Sequence, residues 1–322
     1  MKFIHLSDLH LGKRVNEISM IKDQEDILLK TLGIIDKEQP DCVIIAGDLY
    51  DKAIPTAEAV ELCDYFLTAL ANRNLVTFII SGNHDSPERV AFGSKIMSTS
   101  KIYISPVYNG NISPITLEDE FGSVNFYLLP FLKPQHVRRF YGDEDISSYQ
   151  LAMEKVVKNL NINVEERNVA ISHQFFTGAQ RSDSEDISIG GSDNIDGTIF
   201  DDFDYVALGH LHKEQKVGQE KIRYCGTLLK YSFSEVNHEK GVTVVELGAK
   251  EELTIKKIPL TPLHDMKELK GEYNQLVSRD YYEQMNTNDY MHITLTDEED
   301  VPEALGRLRT IYPNIMKLDY DN

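Results

Sequence analysis

Residues 42–51, CVIIAGDLYD, decide how the rest of the chain is read. Four apolar residues lead from Cys42 to Ile45 into Ala46-Gly47, and a single carboxylate, Asp48, follows. A short β-branched run that stops at glycine reads as a buried strand with Asp48 at its C-terminal end. In an open α/β sheet that end is where ligands bind. Taken alone, Gly-Asp is equally ordinary turn chemistry, so the assignment rests on the neighbouring runs.

Working outward, residues 1–7 form a strand-like run that delivers Asp8-Leu9-His10. On an extended segment residues two apart share a side, which lets Asp8 and His10 reach one ion while Leu9 faces the core. Residues 22–35 carry helical spacing and end at Gln39-Pro40; residues 56–70, behind Pro55, carry a second helix. A third strand, 76–81, runs directly into Gly82-Asn83-His84-Asp85, and 87–97 reads as another helix. Further along, strand-like pieces at 102–104 and 124–129 precede a helix at 148–160. The strand 168–172 ends in His173, and the run 205–208 ends in Gly209-His210-Leu211-His212. Residues 177–197, with Gly190-Gly191, read as a long loop, and loops of that length are ordinarily functional. Segments 222–225, 242–247 and 253–258 alternate like antiparallel strands. Alternating β and α followed by a β-rich half predicts two stacked sheets with helices outside, over residues 1–260. Beyond Pro259 and Pro262, a helix-like 264–284, strand 291–296, helix 302–311 and strand 315–320 predict a small α/β unit at 261–322.

Composition bounds the function. The 322 residues are 41% hydrophobic and 26% charged, as in an ordinary globular protein, and no run approaches about 18 apolar residues. The first segment carries Asp8 and His10, which argues against a signal peptide; the expectation is a cytoplasmic protein without membrane contact. Cys42, Cys63 and Cys225 lie in separate apolar stretches and read as buried small hydrophobes, not a disulfide or zinc set. A net charge of -19 argues against holding nucleic acid through the overall field. It leaves a phosphodiester substrate open, because divalent cations at a carboxylate-rich sheet end reverse the local sign and a basic partner can supply the rest.

The strand-end residues together are Asp8, His10, Asp48, Asn83, His84, His173, His210 and His212. Carboxylate, imidazole and amide oxygen suit Mn, Fe or Zn, whereas Mg and Ca prefer oxygen alone. Asp8 and Asp48, ionised side by side, would repel unless cations neutralised them. A pair of cations about 3.5 to 4 Å apart fits the ligand number, with Asp48 as bridge. A lone histidine at a strand end is ordinarily a satisfied turn residue, and His5, His136, His238, His264 and His292 are read that way.

Asp8-x-His10, Gly47-Asp48, Gly82-Asn83-His84-Asp85, His173 and Gly209-His210-x-His212 together resemble the motif set of calcineurin-like metallophosphoesterases. The resemblance implies a four-layer α/β/β/α sandwich with a dinuclear centre. Carried over, Asp8, His10 and His212 hold one metal, Asn83, His173 and His210 the other, and Asp48 bridges them. His84 becomes the non-ligand histidine that stabilises the phosphate or protonates the leaving 3′-oxygen. Within that superfamily, Asp8 to Gly12, Ser182-Asp183-Ser184-Glu185 with Ile189-Gly190-Gly191, and Tyr231 to Glu235 resemble the SbcD nuclease family. That implies a Mn²⁺-dependent DNA exonuclease and single-strand endonuclease of DNA repair and recombination, with residues 261–322 as a capping domain. Protein phosphatases of the superfamily carry Gly-Asp-x-x-Asp-Arg-Gly, whereas Lys52-Ala53 follow Asp51 here, which disfavours a phosphoprotein substrate. A small-molecule phosphodiesterase or phosphatase on the same scaffold is the rival enzyme reading; a metal-binding scaffold that does not cut is a third.

The resemblance also implies partners. Members of the SbcD family continue past the cap into a helical segment that docks on the SbcC ATPase, and the chain given stops at Asn322, so the expectation is that this segment is absent. Residues 56–70 and 87–97 carry Val60, Leu67, Val90, Phe92 and Ile96, more apolar positions than one sheet face needs. In the resembling family the equivalent helices form a two-fold dimer contact, so a homodimer is expected. Lys13, Arg14, Arg89 and Arg181 are placed near the sheet mouth as cations that guide a strand inward.

Overall fold

The computed structural model describes residues 1–142, 145–183, 185 and 193–321. From the N-terminus, β1 (Lys2–Leu6) passes through a small hairpin, β2 (Arg14–Val15) and β3 (Ile18–Ser19), into α1 (Ile21–Glu38). Then follow β4 (Cys42–Ala46), α2 (Ala57–Asn72) and β5 (Val76–Ile80). Thr56 caps α2, its hydroxyl accepting from the Ala59 amide, which satisfies an otherwise orphaned donor. Two single turns, α3 (Pro87–Val90) and α4 (Ser94–Met97), precede β6 (Ile102–Ile104). The second half starts with β7 (Ile115–Asp119) and β8 (Gly122–Leu129), then α5 (Pro134–Arg138) and α6 (Tyr149–Lys158). It continues through β9 (Arg167–His173), β10 (Tyr205–Gly209), β11 (Gln215–Val217), β12 (Gln219–Tyr224), β13 (Gly241–Leu247) and β14 (Leu253–Pro259).

These strands form two six-stranded sheets, ordered β14-β13-β1-β4-β5-β6 and β11-β12-β10-β9-β8-β7. The centres are parallel (β1/β4/β5/β6 and β8/β9/β10/β12), and antiparallel strands close the outer positions. Alternation within each run sorts side chains between layers. Phe3, Ile44, Phe78, Phe126, Ile171 and Tyr205 meet in the layer between the sheets. Ile4, Val43, Ile45 and Ile79 face outward onto α1 and α2 through Ile27, Leu28, Phe66 and Leu70. Tyr127, Leu129, Ala170 and Val206 face outward on the other side, where α6 presents Ala152, Met153 and Val156. The result is the expected four-layer α/β/β/α sandwich.

The C-terminal region has its own three-stranded parallel sheet, β15 (Met266–Gly271), β16 (Tyr290–Leu295) and β17 (Ile315–Tyr320), with α7 (Tyr273–Leu276), α8 (Arg279–Tyr282) and α9 (Ala304–Leu308). Its separate core includes Leu276, Met291, Ile293, Leu308 and Tyr312. It rests on α1 through Asp23, whose carboxylate accepts from the Tyr290 hydroxyl at 2.6 Å and faces the His264 ring at 2.9 Å.

Several expectations are corrected. The helix predicted over 87–97 is broken by Gly93 at φ 76, a left-handed residue no helix continues through. The helix predicted over 264–284 is a strand in its first third, because pairing of β15 with β16 outweighs the helix-forming Lys and Glu residues. The strand expected at 222–225 is β12, antiparallel to β11 on one side but parallel to β10 on the other, since the chain reverses through β11 first. His5 is no turn residue: it lies inside β1, fully buried between the sheets. Leu67 and Val90 are buried too, leaving Val60, Phe92 and Ile96 facing outward. Ser184, Ile189, Gly190, Gly191 and Asn322 lie outside the described residues. All three cysteines are buried and free, as expected. Among the described residues no helix is long and apolar enough to cross a membrane.

Candidate metal centre

The C-terminal ends of β1, β4 and β5 in one sheet and of β9 and β10 in the other open onto one pit, and all eight residues picked from the sequence line it. Asp8 and His10 do not arrive there on an extended strand, as their spacing suggested. β1 stops at Leu6, and Asp8, His10 and Asp48 adopt φ values of 52°, 45° and 49°, with His210 at 103°. Left-handed backbone at a non-glycine residue costs on the order of 1–3 kcal/mol and persists only where the surroundings impose it. Here the two loops are laced side by side, the amides of Asp8 and His10 donating to the carbonyls of Gly47 and Asp48, each at 3.0 Å. Glycine is required where the loops press closest: a Cβ on Gly209 would fall on the Ala46 carbonyl oxygen, and one on Gly82 on the Asp48 carboxylate.

Two groups of donors meet at Asp48. On one side, His10 Nε2 lies 3.2 Å from His212 Nε2, 3.7 Å from Asp48 Oδ2 and 3.9 Å from Asp8 Oδ1. On the other, Asn83 Oδ1 lies 3.0 Å from His173 Nε2 and 2.9 Å from His210 Nδ1, and His173 Nε2 is 3.2 Å from Asp48 Oδ2. His84 reaches the same carboxylate from the rim, its Nε2 4.0 Å from Asp48 Oδ2 and its side chain 20% exposed.

The other ring nitrogens are held from behind. His173 Nδ1 faces the Ala46 carbonyl at 2.8 Å and His84 Nδ1 the Asp51 carbonyl at 3.0 Å. His212 Nδ1 faces the Glu235 carboxylate at 3.1 Å. Carbonyls and ionised carboxylates only accept, so in each ring Nδ1 carries a hydrogen and Nε2 is the nitrogen left facing the pit. Burial raises the Glu235 carboxyl, but the His212 hydrogen bond and the Lys240 ammonium outweigh it and hold Glu235 ionised.

This donor set fits divalent cations. Among the described residues His10 Nδ1 is buried without a hydrogen-bond partner, while its Nε2 confronts the Nε2 of His212. Two such lone pairs in a dry interior repel unless a proton or a cation lies between them. Burial pushes the Asp8 carboxyl up, opposed by His173 and reinforced by Asp48. Burial acts downward on His173, yet Asp48 and Asp8 draw it up to about 9, so its ring serves as the positive charge the carboxylates demand. Burial and the His173 charge together press His210 down to about 3. Two buried carboxylates and several imidazoles thus share one site, a mixed oxygen and nitrogen donor set. Asp8-His10-His212, His10-Asp48-His84 and Asp8-Asp48-His173 each bring donor atoms within 4.8 Å of one another.

Two supporting residues were given no role from the sequence, although Asp85 stood in the quoted Gly82-Asn83-His84-Asp85 motif. Asp85 fastens two loops, accepting from the amides of Gly82, Leu49 and Tyr50 at 2.9, 3.1 and 3.0 Å. Burial and the neighbouring Asp48 charge lift its carboxyl to about 6. Gln24 of α1 donates to the His10 carbonyl at 2.7 Å and accepts from the Gly12 amide at 2.9 Å; a polar residue on an apolar helix face was the available signal. The cations expected at the mouth are engaged locally. Lys13 pairs with Asp51 at 2.8 Å, Arg181 with Asp193 at 2.7 Å, Arg14 donates to the Glu17 carbonyl, and Arg89 is exposed on α3.

Comparison with known proteins bears on the family. Residues 1–214 match the calcineurin-like phosphoesterase family, and residues 262–322 match the SbcD C-terminal family, described as the type 5 capsule protein repressor C-terminal domain. The SbcD subunit of the SbcCD nuclease of Staphylococcus epidermidis is 35% identical over 322 residues, covering 99% of this chain and 85% of that protein. Its counterpart in Staphylococcus saprophyticus is also 35% identical, over 99% of this chain and 84% of its own. Among solved structures, a dimetal phosphatase from Danio rerio aligns over 82% of this chain and 98% of its own, with a TM-score of 0.46 and 11% identity. The chain therefore belongs to the calcineurin-like phosphoesterase family, in its branch of SbcD nucleases.

Proposed function

We propose that this chain hydrolyses phosphodiester bonds of DNA with two Mn²⁺ ions, as the nuclease subunit of an SbcCD-type complex with an SbcC-type ATPase. The observation that carries the reading is the convergence of two acidic and five imidazole side chains and one amide oxygen on one pit shared by both sheets. On this reading residues 1–260 are the nuclease domain and 261–322 a cap beside its mouth. Asp8, His10 and His212 would hold one ion, Asn83, His173 and His210 the other, and Asp48 both. When bound, such ions supply positive charge to the non-bridging phosphate oxygens and make a water acidic enough to attack near neutral pH.

The protein's own part is orientation and proton handling. The Asp51 carbonyl fixes the His84 ring through Nδ1, which leaves Nε2, 4.0 Å from Asp48 Oδ2, as the nitrogen available to a phosphate held there. In its charged form that nitrogen donates to a phosphate oxygen or delivers a proton to the leaving 3′-oxygen. The pit is walled by buried aromatic and loop backbone, with Tyr231 edge-on to His10 and His212. The setting we assign is DNA repair and recombination in the cytoplasm. A homodimer is part of the proposal, supported by Phe92 and Ile96, 84% and 76% exposed beside one another around α3 and α4.

Pure protein incubated with Mn²⁺ and three substrates (single-stranded DNA, duplex DNA, a small phosphodiester) tests the reading. Cleavage of DNA is expected. Turnover of the small ester alone would replace it with a small-molecule phosphodiesterase, and no turnover with metal bound would favour a scaffold.

A further inference from the structure

We infer that Glu235, gripped by Lys240, is a positioning residue that decides which ring nitrogen of His212 faces the metal centre; the inference rests on His212 being a cation ligand. Glu235 is fully buried, and its two oxygens have different duties. Oε1 takes the His212 Nδ1 hydrogen at 3.1 Å, with the Tyr231 amide at 3.4 Å. Oε2 takes the Lys240 ammonium at 2.6 Å. Lys240 is itself buried, and its ammonium also donates to the His212 carbonyl at 2.9 Å and to Thr227 Oγ1 at 2.7 Å. One lysine therefore clamps both the backbone of His212 and the carboxylate that orients its ring, using all three of its hydrogens.

Chemistry makes this arrangement directional. A carboxylate can only accept, so it selects the Nδ1–H form of His212 and leaves Nε2 unprotonated toward His10 and the pit. A donor at the Glu235 position would select the opposite form, with hydrogen on Nε2 and no lone pair to offer. A carboxylate buried behind His212 would also be costly without its own cation, and Lys240 is that cation. In Glu235→Gln the amide is trapped. Oxygen toward His212 puts NH₂ against the Lys240 ammonium, and the reverse orientation presents NH₂ to His212 Nδ1. Replacing Lys240 by Met in the same chain removes that conflict and lets the amide oxygen serve His212 again.

The test uses the full chain, stripped with EDTA, and two readouts besides activity. Imidazole ¹⁵N shifts of the metal-free protein are expected to show His212 with hydrogen on Nδ1 in the wild type. Calorimetric titration with Mn²⁺ is expected to show about 10- to 100-fold weaker binding at one ion in E235Q, the usual effect of losing a partner behind a ligand. E235Q/K240M should recover several-fold over E235Q. Hydrogen on His212 Nε2 in the metal-free wild type overturns the inference even if no variant folds. Unchanged Mn²⁺ affinity in E235Q, or a double variant as weak as E235Q, overturns it as well. Failure of the wild type to bind Mn²⁺ sinks the ligand assignment on which the inference stands, an outcome distinct from the other two.

Discussion

Lowering the pH from 8 to 5 should destabilise the metal-free protein through a residue that is not one of the proposed ligands. His5 lies between the sheets, its Nε2 3.2 Å from the Leu208 carbonyl and its Nδ1 2.9 Å from the Tyr205 hydroxyl. The carbonyl accepts, so Nε2 carries the hydrogen and Nδ1 accepts from Tyr205. Charging this ring means charging the layer that holds Phe3 and Phe126, and burial presses its pKa from 6.5 to about 3. A histidine depressed in the folded state favours folding fully above 6.5, and that contribution is lost as pH falls from 6.5 toward 3. At pH 5 the unfolded chain has taken up a proton the folded chain refuses, a loss of about 2 kcal/mol at roughly 1.4 kcal/mol per pH unit. His5→Gln keeps one donor and one acceptor and cannot titrate. Urea melts in EDTA at both pH values should show the wild type losing about 2 kcal/mol more than the variant. Equal losses would mean that protonated His5 is accommodated, through water or by opening of the sheets, and would refute the argument.

Asp48→Ala should abolish DNA cleavage and Mn²⁺ uptake together, checked by nuclease assay and calorimetry on the same preparation, because Asp48 faces both donor groups. His84→Ala should retain Mn²⁺ while its cleavage rate falls by about 10² to 10⁴, the range for one proton-donating or charge-stabilising group; loss of metal there would make His84 a ligand. Phe92→Asp combined with Ile96→Asp should give a monomer by light scattering at tens of micromolar without changing the melting temperature, and a wild type that is already monomeric would end the dimer proposal.

Much of this architecture was legible because two signals coincided. The runs 42–46, 76–80 and 205–209 are apolar enough to be central parallel strands, and each leads into a glycine followed at once by Asp48, Asn83 or His210. Position at a strand end brought the eight side chains to one place even though the local geometry differed from expectation, as the left-handed turns at Asp8 and His10 show. The roles of the residues that support them were not legible. Gln24, Asp85 and Glu235 come from a helix, a loop and a 3-10 turn, and each acts on backbone or ring nitrogens distant in sequence. The breakdown of the predicted 264–284 helix has the same origin: a partner strand more than twenty residues away decides the conformation.

The division of the pit between sheets has a consequence for how the protein comes into being. Asp8, His10, Asp48, Asn83 and His84 follow strands of one sheet, whereas His173, His210 and His212 belong to strand ends of the other. During synthesis the first five emerge early but have only part of their company. Until His212 has left the ribosome, no nascent chain can present the complete constellation, and until the two sheets dock in register none can present it correctly. The constellation is therefore completed late: its last member arrives only once β1, β4 to β6 and β7 to β10 have all been made, with β11 to β14 still to come.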